Sequence, residues 1–413
     1  MKRFSMWFLV VFMVMVGATA AYAEEVSEVP PPEQPTSGYD NGFFIRSKDG
    51  NFHFQVNMRF QLQHIFATGD TSLPESADGS TKVNTFRVRR ARFSFAGNAY
   101  KKLDFFMMIQ HASGPTGARD LLWFAEFTYN VNDHLRFTFG QTQVSVDRFG
   151  ETSSGGYQLV EAPLTASQTD GQVEYSATRP SFGLPSDIGL KIAGDWKRFH
   201  YSVYFGNGSE EGNYNFNREF TYGTRMSFDI LDPVGYGMES DFANSAKPKM
   251  TLGVGGAFLD DTMTSASDTN GDGVDDVSIS YDWNMVGSMD FAFMWKGFSF
   301  KTEGYYRMLE VNGGTCVGYP ECAEGRLTDV GYYAQTGYFV WPKHIELVFR
   351  GGQIFREGPD NNAYEATAGI NWFIKDNKFK LQTAYSYMVD YDNVPGTAND
   401  KRHYIRTMFT MNI

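Results

Sequence analysis

Over Phe52-His53-Phe54-Gln55-Val56-Asn57-Met58-Arg59-Phe60-Gln61-Leu62-Gln63, apolar and polar residues alternate without a break. Successive side chains of a β-strand point to opposite faces, so a period of two marks a strand with one apolar and one polar side. The pattern recurs along the chain. Leu121, Trp123, Ala125, Phe127 and Tyr129 alternate with Glu126, Thr128 and Asn130, and Phe220, Tyr222, Met226, Phe228 and Ile230 alternate with Thr221, Arg225, Ser227 and Asp229. Toward the end come Phe379, Leu381, Thr383, Tyr385, Tyr387 and Val389, then Ile405, Thr407, Phe409, Met411 and Ile413. Such segments predict sixteen strands, near 51–66, 85–97, 103–111, 121–130, 135–146, 187–194, 199–206, 220–231, 250–259, 280–295, 298–308, 328–341, 344–356, 362–374, 378–391 and 402–413.

The connections alternate in length. Those at 98–102, 131–134, 195–198, 296–297, 342–343 and 375–377 are short, while 67–84, 147–186, 260–279 and 309–327 are long. Short turns at one end and long loops at the other predict a transmembrane antiparallel β-barrel of about sixteen strands, with the short turns periplasmic and the long loops extracellular. The connection 231–249 breaks the rule, since a short turn belongs there. A β-sandwich does not require so many aromatics on one face, and a β-propeller would show a blade repeat that is absent here. A closed barrel also leaves no unpaired edge, which a bilayer demands.

Composition agrees. Among 413 residues there are 37 Phe, 23 Tyr and 7 Trp but only 18 Leu, a balance that favours strands over helices. Mean hydropathy is −0.37, so a bundle of spanning helices is excluded. The formal charge of −12 argues against a nucleic-acid partner. The one apolar run, Met6 to Val16, follows Lys2 and Arg3 and precedes Ala21-Tyr22-Ala23, which reads as a signal peptide over 1–23. Its removal leaves 34 basic against 48 acidic residues, a charge of −14. Residues 24–41 are expected to be a periplasmic tail, acidic and Pro-rich through 37, and 42–413 the barrel.

If the aromatic side of each strand meets lipid, the other side lines a pore. That face carries eleven basic residues against eight acidic ones, so the wall is mildly basic inside an acidic protein. Arg59, Arg90, Arg92, Arg225 and Arg350 are candidates for an anion track, because guanidinium donors replace the hydration of a passing oxyanion. The same residues also read as braces that pair with Asp and Glu across strands. Arg87 and Arg89 have the opposite parity and are assigned to lipid phosphates at the rim.

Several blocks resemble the phosphate-selective porin O and P family: Gly42-Phe43-Phe44-Ile45-Arg46-Ser47-Lys48-Asp49-Gly50, Asn57-Met58-Arg59-Phe60-Gln61, Phe86-Arg87-Val88-Arg89-Arg90-Ala91-Arg92, Gly140-Gln141, and Thr152-Ser153-Ser154 with Glu161. The resemblance implies an outer-membrane porin of a Gram-negative cell and a homotrimer. It implies a third long loop, near 147–186, folded into the channel, and passive diffusion of small hydrophilic solutes, anions such as phosphate or pyrophosphate. Arg148, Glu161 and Arg179 are the constriction-loop candidates. The loop departs from the family in Gln143, Ser145 and Ala162, and its excess of acid would repel phosphate unless its carboxylates turn from the aperture. The chain ends on Ile413 where such barrels usually carry an aromatic. The alternatives are a general or carbohydrate-tolerant porin and a surface adhesin built on a barrel.

Outer-membrane lipid and lipopolysaccharide are the expected surroundings. No cofactor is expected, except that Asp268, Asn270, Asp272 and Asp276 read equally as a structural Ca²⁺ loop and as an acidic surface loop. Cys316 and Cys322 predict a local disulfide in an oxidising compartment. No G-x-S-x-G motif or recognisable Ser, His and acid arrangement is present, so no catalysis is expected.

Overall fold

The computed structural model describes residues 36–70, 73, 79–114, 117–166, 182–184, 186–208, 219–260, 263–267, 277–311, 325–357, 362–389 and 400–413. Two short strands, β1 (Ser37–Tyr39) and β2 (Phe43–Arg46), precede the wall. The wall begins with β3 (Phe52–Gly69), β4 (Lys82–Ala99), β5 (Leu103–Gly114), β6 (Gly117–Asn132) and β7 (Leu135–Gln143), and after a one-turn helix, α1 (Arg148–Glu151), resumes with β8 (Ser186–Trp196), β9 (Phe199–Gly206), β10 (Thr221–Asp229) and β11 (Lys249–Leu259). A short piece, β12 (Met263–Ser267), extends the outer end of β11 against β13 (Val277–Trp295). The circuit is completed by β14 (Phe298–Val311), β15 (Arg326–Trp341), β16 (Ile345–Arg356), β17 (Ala363–Lys375), β18 (Phe379–Val389) and β19 (Lys401–Asn412).

Apart from β1, β2 and β12, each strand pairs antiparallel with the next, and β19 pairs with β3, from Arg402↔Gly69 to Asn412↔Arg59. The result is a closed barrel of 16 strands, as the alternation predicted. Ile413 exchanges two backbone hydrogen bonds with Met58, of 2.7 and 2.9 Å, so the seam is zipped to that residue despite its aliphatic side chain. In β10, buried and exposed residues alternate strictly from Thr221 to Asp229. The exposed side carries the aromatics, and Trp196, Trp295, Trp341 and Trp372 sit beside short turns as an interfacial girdle. One such turn, Lys296-Gly297, has φ of 49° and 80°, the left-handed pair that a two-residue hairpin requires.

Residues 37–41, assigned above to the tail, are a correction. β1 pairs with β2, and β2 pairs with His53–Val56 of β3. That part of β3 projects beyond the end of β19, and β2 satisfies an edge that would otherwise be open.

Register shifts interrupt six of the strand pairings among the described residues, and two of these bulges bear on the site. Gln61 faces Arg90 and Leu62 faces Val88, which leaves Arg89 as the extra residue of β4. Met108 faces Phe124 and Ile109 faces Leu122, which leaves Trp123 as the extra residue of β6. At a bulge two neighbours lie on the same side, and both shifts bring side chains inward that simple alternation sent to lipid. Arg89 and Trp123 are accordingly buried, not lipid-facing.

Candidate functional site: the narrowed lumen

Past β7 the chain leaves the wall and crosses the lumen. Asp147 caps α1, accepting from Gly150 N at 2.8 Å through Oδ1 and from the Tyr305 hydroxyl at 3.0 Å through Oδ2. A segment that crosses a lumen needs partners for its peptide groups, and the wall supplies them. The Ser288 hydroxyl donates to Val146 O at 2.6 Å, Lys380 Nζ donates to Gly155 O and Tyr157 O at 3.0 Å each, and Asn371 Nδ2 donates to Gln158 O at 2.8 Å. Arg350 donates to Glu161 O and Ala162 O, both at 2.9 Å, and the Glu365 carboxylate accepts from Leu164 N at 2.8 Å. Over 147–166 the loop is therefore fixed on a lattice of wall side chains.

A second insert meets it from the opposite end. Residues 231–248, too long for a periplasmic turn, fold inward, with Val234, Glu239, Ser240, Asp241 and Ser245 buried. Glu239 N donates to Gly156 O at 3.0 Å, and Ser153 N donates to Tyr236 O at 3.2 Å. The Glu239 carboxylate accepts from Gln158 N at 2.8 Å and pairs with Lys301. Arg148 donates to Val234 O and Gly235 O at 2.6 and 2.9 Å and stacks over Tyr236 at 4.8 Å. The irregular connection thus has a purpose that the strand count left unexplained.

Gly156 marks the closest approach of the two inserts, since a Cβ there would lie 2.0 Å from Gly237 O. Gly156→Val is expected to push them apart, raising single-channel conductance and lowering the thermal midpoint relative to wild type, both measurable on purified barrels.

The candidate arginines separate into two groups. Arg225 pairs with Asp290 at 2.6 Å, Arg350 with Glu365 at 2.5 Å, and Arg90 donates to Gln61 at 2.9 Å, all buried. Arg59 and Arg92 instead converge on the loop: their guanidiniums donate to the Ser154 hydroxyl at 2.9 and 2.7 Å, and Arg59 also reaches the Ser153 hydroxyl at 3.0 Å. Arg87 and Arg89, assigned to the rim by parity, point inward because of the bulge. Arg89 Nη2 lies 2.8 Å and Arg87 Nη2 3.3 Å from the Glu161 carboxylate, which also accepts from Gln63 at 2.6 Å. Burial alone would raise the Glu161 pKa, but Arg89, then Arg87 and Arg406, outweigh it and hold the carboxyl well below its usual range. Arg179, the 268–276 segment and Cys316 with Cys322 lie outside the described residues.

Space remains between the 150–156 turn and the β3–β8 wall. A cavity of about 320 Å³ is lined by Arg59, Arg92 and Lys191, by Glu126 and Glu151, by Ser153 and Ser154, and by Phe106, Met108, Trp123 and Phe124. A neighbouring cavity of about 440 Å³ shares Arg59, Arg92, Phe106, Met108 and Ser153 and adds Lys378. Of the loop's described carboxylates, Glu151 lines the first cavity while Glu161 and Asp147 are turned into the wall. The sequence reading passed over Phe106, Met108 and Phe124, although each shares the strand parity of a carboxylate, Asp104 or Glu126.

A closed barrel narrowed by an inward loop is the architecture of an outer-membrane porin, a channel for passive diffusion of small hydrophilic solutes across the outer membrane of a Gram-negative cell. The chain belongs to the phosphate-selective porin O and P family, whose profile matches residues 56–413. Similar solved structures include the trimer form of OmpT from Vibrio cholerae, with 13% identity, a TM-score of 0.56 and coverage of 86% of this chain and 99% of that one. The anion-selective porin from Comamonas acidovorans has 8% identity and a TM-score of 0.54, covering 88% of this chain and 100% of that one. The outer-membrane channel DcaP of Acinetobacter baumannii has 12% identity and a TM-score of 0.50, covering 89% and 99%. No curated protein sequence matches the chain.

Proposed function

We propose that the channel favours small anions, phosphate among them, and that they pass between the 150–156 turn and the wall beside Arg59 and Arg92. The observation that carries this reading is the convergence of those two guanidiniums on Ser153 and Ser154 at a cavity lined by three cations and two carboxylates. Fixed charge in a narrow, low-dielectric passage sets which ion is concentrated there. Arg90, Arg225 and Arg350 act as braces, because none of them lines either cavity and the charges of Arg225 and Arg350 are met by Asp290 and Glu365. Selectivity is accordingly modest. The working unit is a homotrimer, a reading supported by the trimeric form of the similar OmpT, and the mature chain begins at Glu24.

Planar-bilayer recording in a KCl gradient tests the selectivity. The reversal potential is expected to have the sign of anion preference, and added phosphate is expected to reduce the chloride current. A cation-selective reversal potential overturns the reading.

A further inference from the structure

The aperture is two-sided in its chemistry. On one side Arg59 and Arg92, both lining the cavity, meet at the Ser154 hydroxyl, with Arg59 also held by Asn412 and Ser153 and Arg92 by Gln110. On the other, Phe106, Met108 and Phe124 form an apolar floor, with the Phe106 and Phe124 ring centroids 5.9 Å apart. The bulge in β6 makes this floor continuous, because it turns Trp123 inward beside Phe124, where Arg92 stacks over the indole at 4.5 Å.

An inorganic oxyanion is polar on every side. Brought into this ring, it exchanges water for guanidinium and hydroxyl donors on one flank, but against the Phe106, Met108 and Phe124 surface it loses water and gains no donor, which is costly for a charged group. An anion with an apolar ring attached meets both flanks: its head takes the arginines while its body covers the aromatic floor and releases the water there. We propose that this aperture selects organic oxyanions carrying an aromatic body over inorganic phosphate and over aliphatic anions of equal charge. The proposal rests on the reading of the aperture as the conduction path. Cavities of roughly 300–1,000 Å³ accommodate small organic ligands, and the spaces here, about 320 and 440 Å³, suit a single-ring anion.

The test compares phenyl phosphate with methyl phosphate, which share a head group, as blockers of chloride current in planar bilayers. Phenyl phosphate is expected to reach half-block at about tenfold lower concentration, and the double variant F106S/F124S is expected to bring the two esters together. Equal half-block concentrations in the wild-type channel overturn the proposal, as does a preference that survives in F106S/F124S. The wild-type comparison stands whether or not that variant assembles. The variant R59S/R92S separates the two levels of inference. Unchanged block by both esters in it overturns the conduction path and this proposal together, whereas equal block in the wild type that vanishes in R59S/R92S leaves the path standing and removes only the aromatic preference.

Discussion

Glu161→Ala is expected to release the constriction loop. In the native channel this carboxylate is buried between Arg87 and Arg89, at 3.3 and 2.8 Å, and bonded to Gln63. Removing it takes from two inward guanidiniums the carboxylate they share, and breaking a buried pair in this way costs roughly 3–5 kcal/mol. The loop backbone at Glu161 and Ala162 remains bonded to Arg350, so the damage begins at this corner instead of dissolving the whole insert. A lower thermal midpoint, a larger and noisier conductance and faster proteolysis of the 147–166 segment are the expected readouts, from calorimetry, bilayers and mass spectrometry. A variant with wild-type conductance and midpoint would show that the latch has no mechanical role.

The same latch predicts the acid limb of the channel's behaviour. Because the Glu161 pKa is depressed in the folded protein, its stabilising contribution is complete above the ordinary value of 4.5 and is lost only as pH falls through the lower folded value. The latch's own contribution, read as the difference in conductance between wild type and Glu161→Ala, is therefore expected to stay constant from neutral pH down to about 4.5 and to disappear only at stronger acidity. A transition centred at or above the ordinary value contradicts this.

The second large effect concerns selectivity. The first aperture cavity is lined by Arg59, Arg92 and Lys191 against Glu126 and Glu151, so R59S/R92S turns an excess of one cation into an excess of one carboxylate. The anion-to-cation permeability ratio is expected to fall about tenfold, a change of about 1.4 kcal/mol, and to pass through unity. Neutralising Arg225, which is tied to Asp290 at 2.6 Å, is expected to alter stability more than the ratio. Reversal potentials of the two variants in one salt gradient decide between a focused aperture and a diffuse basic wall. Equal shifts from both would favour the diffuse wall.

Alternation was legible in the sequence because it is local: whether Phe60 and Arg59 face opposite sides depends only on the strand they share. The same reasoning failed at Arg87, Arg89 and Trp123, where a bulge inserted one residue and reversed the parity beyond it. A bulge is decided by register against the neighbouring strand, and no residue pattern within β4 or β6 announces it. The resemblance to a porin family placed an inward loop near 147–186, and its Glu161 was among the candidates. That Glu161 faces Arg89, 72 residues away in the chain, and that Arg350 holds its carbonyl across 189, had no local signal.

The sequence by itself determined a barrel, its number of strands, which end carries the short turns and the lipid-facing aromatic surface, since each follows from short-range period and loop length. Only the tertiary structure decided how the lumen is filled. It set Arg225 and Arg350 against carboxylates, tied Arg90 to Gln61 and drew 231–248 in as a second insert. It left Arg59 and Arg92 facing an aromatic floor, because the pairing of charges and the satisfaction of loop peptides depend on distances between residues far apart in the chain.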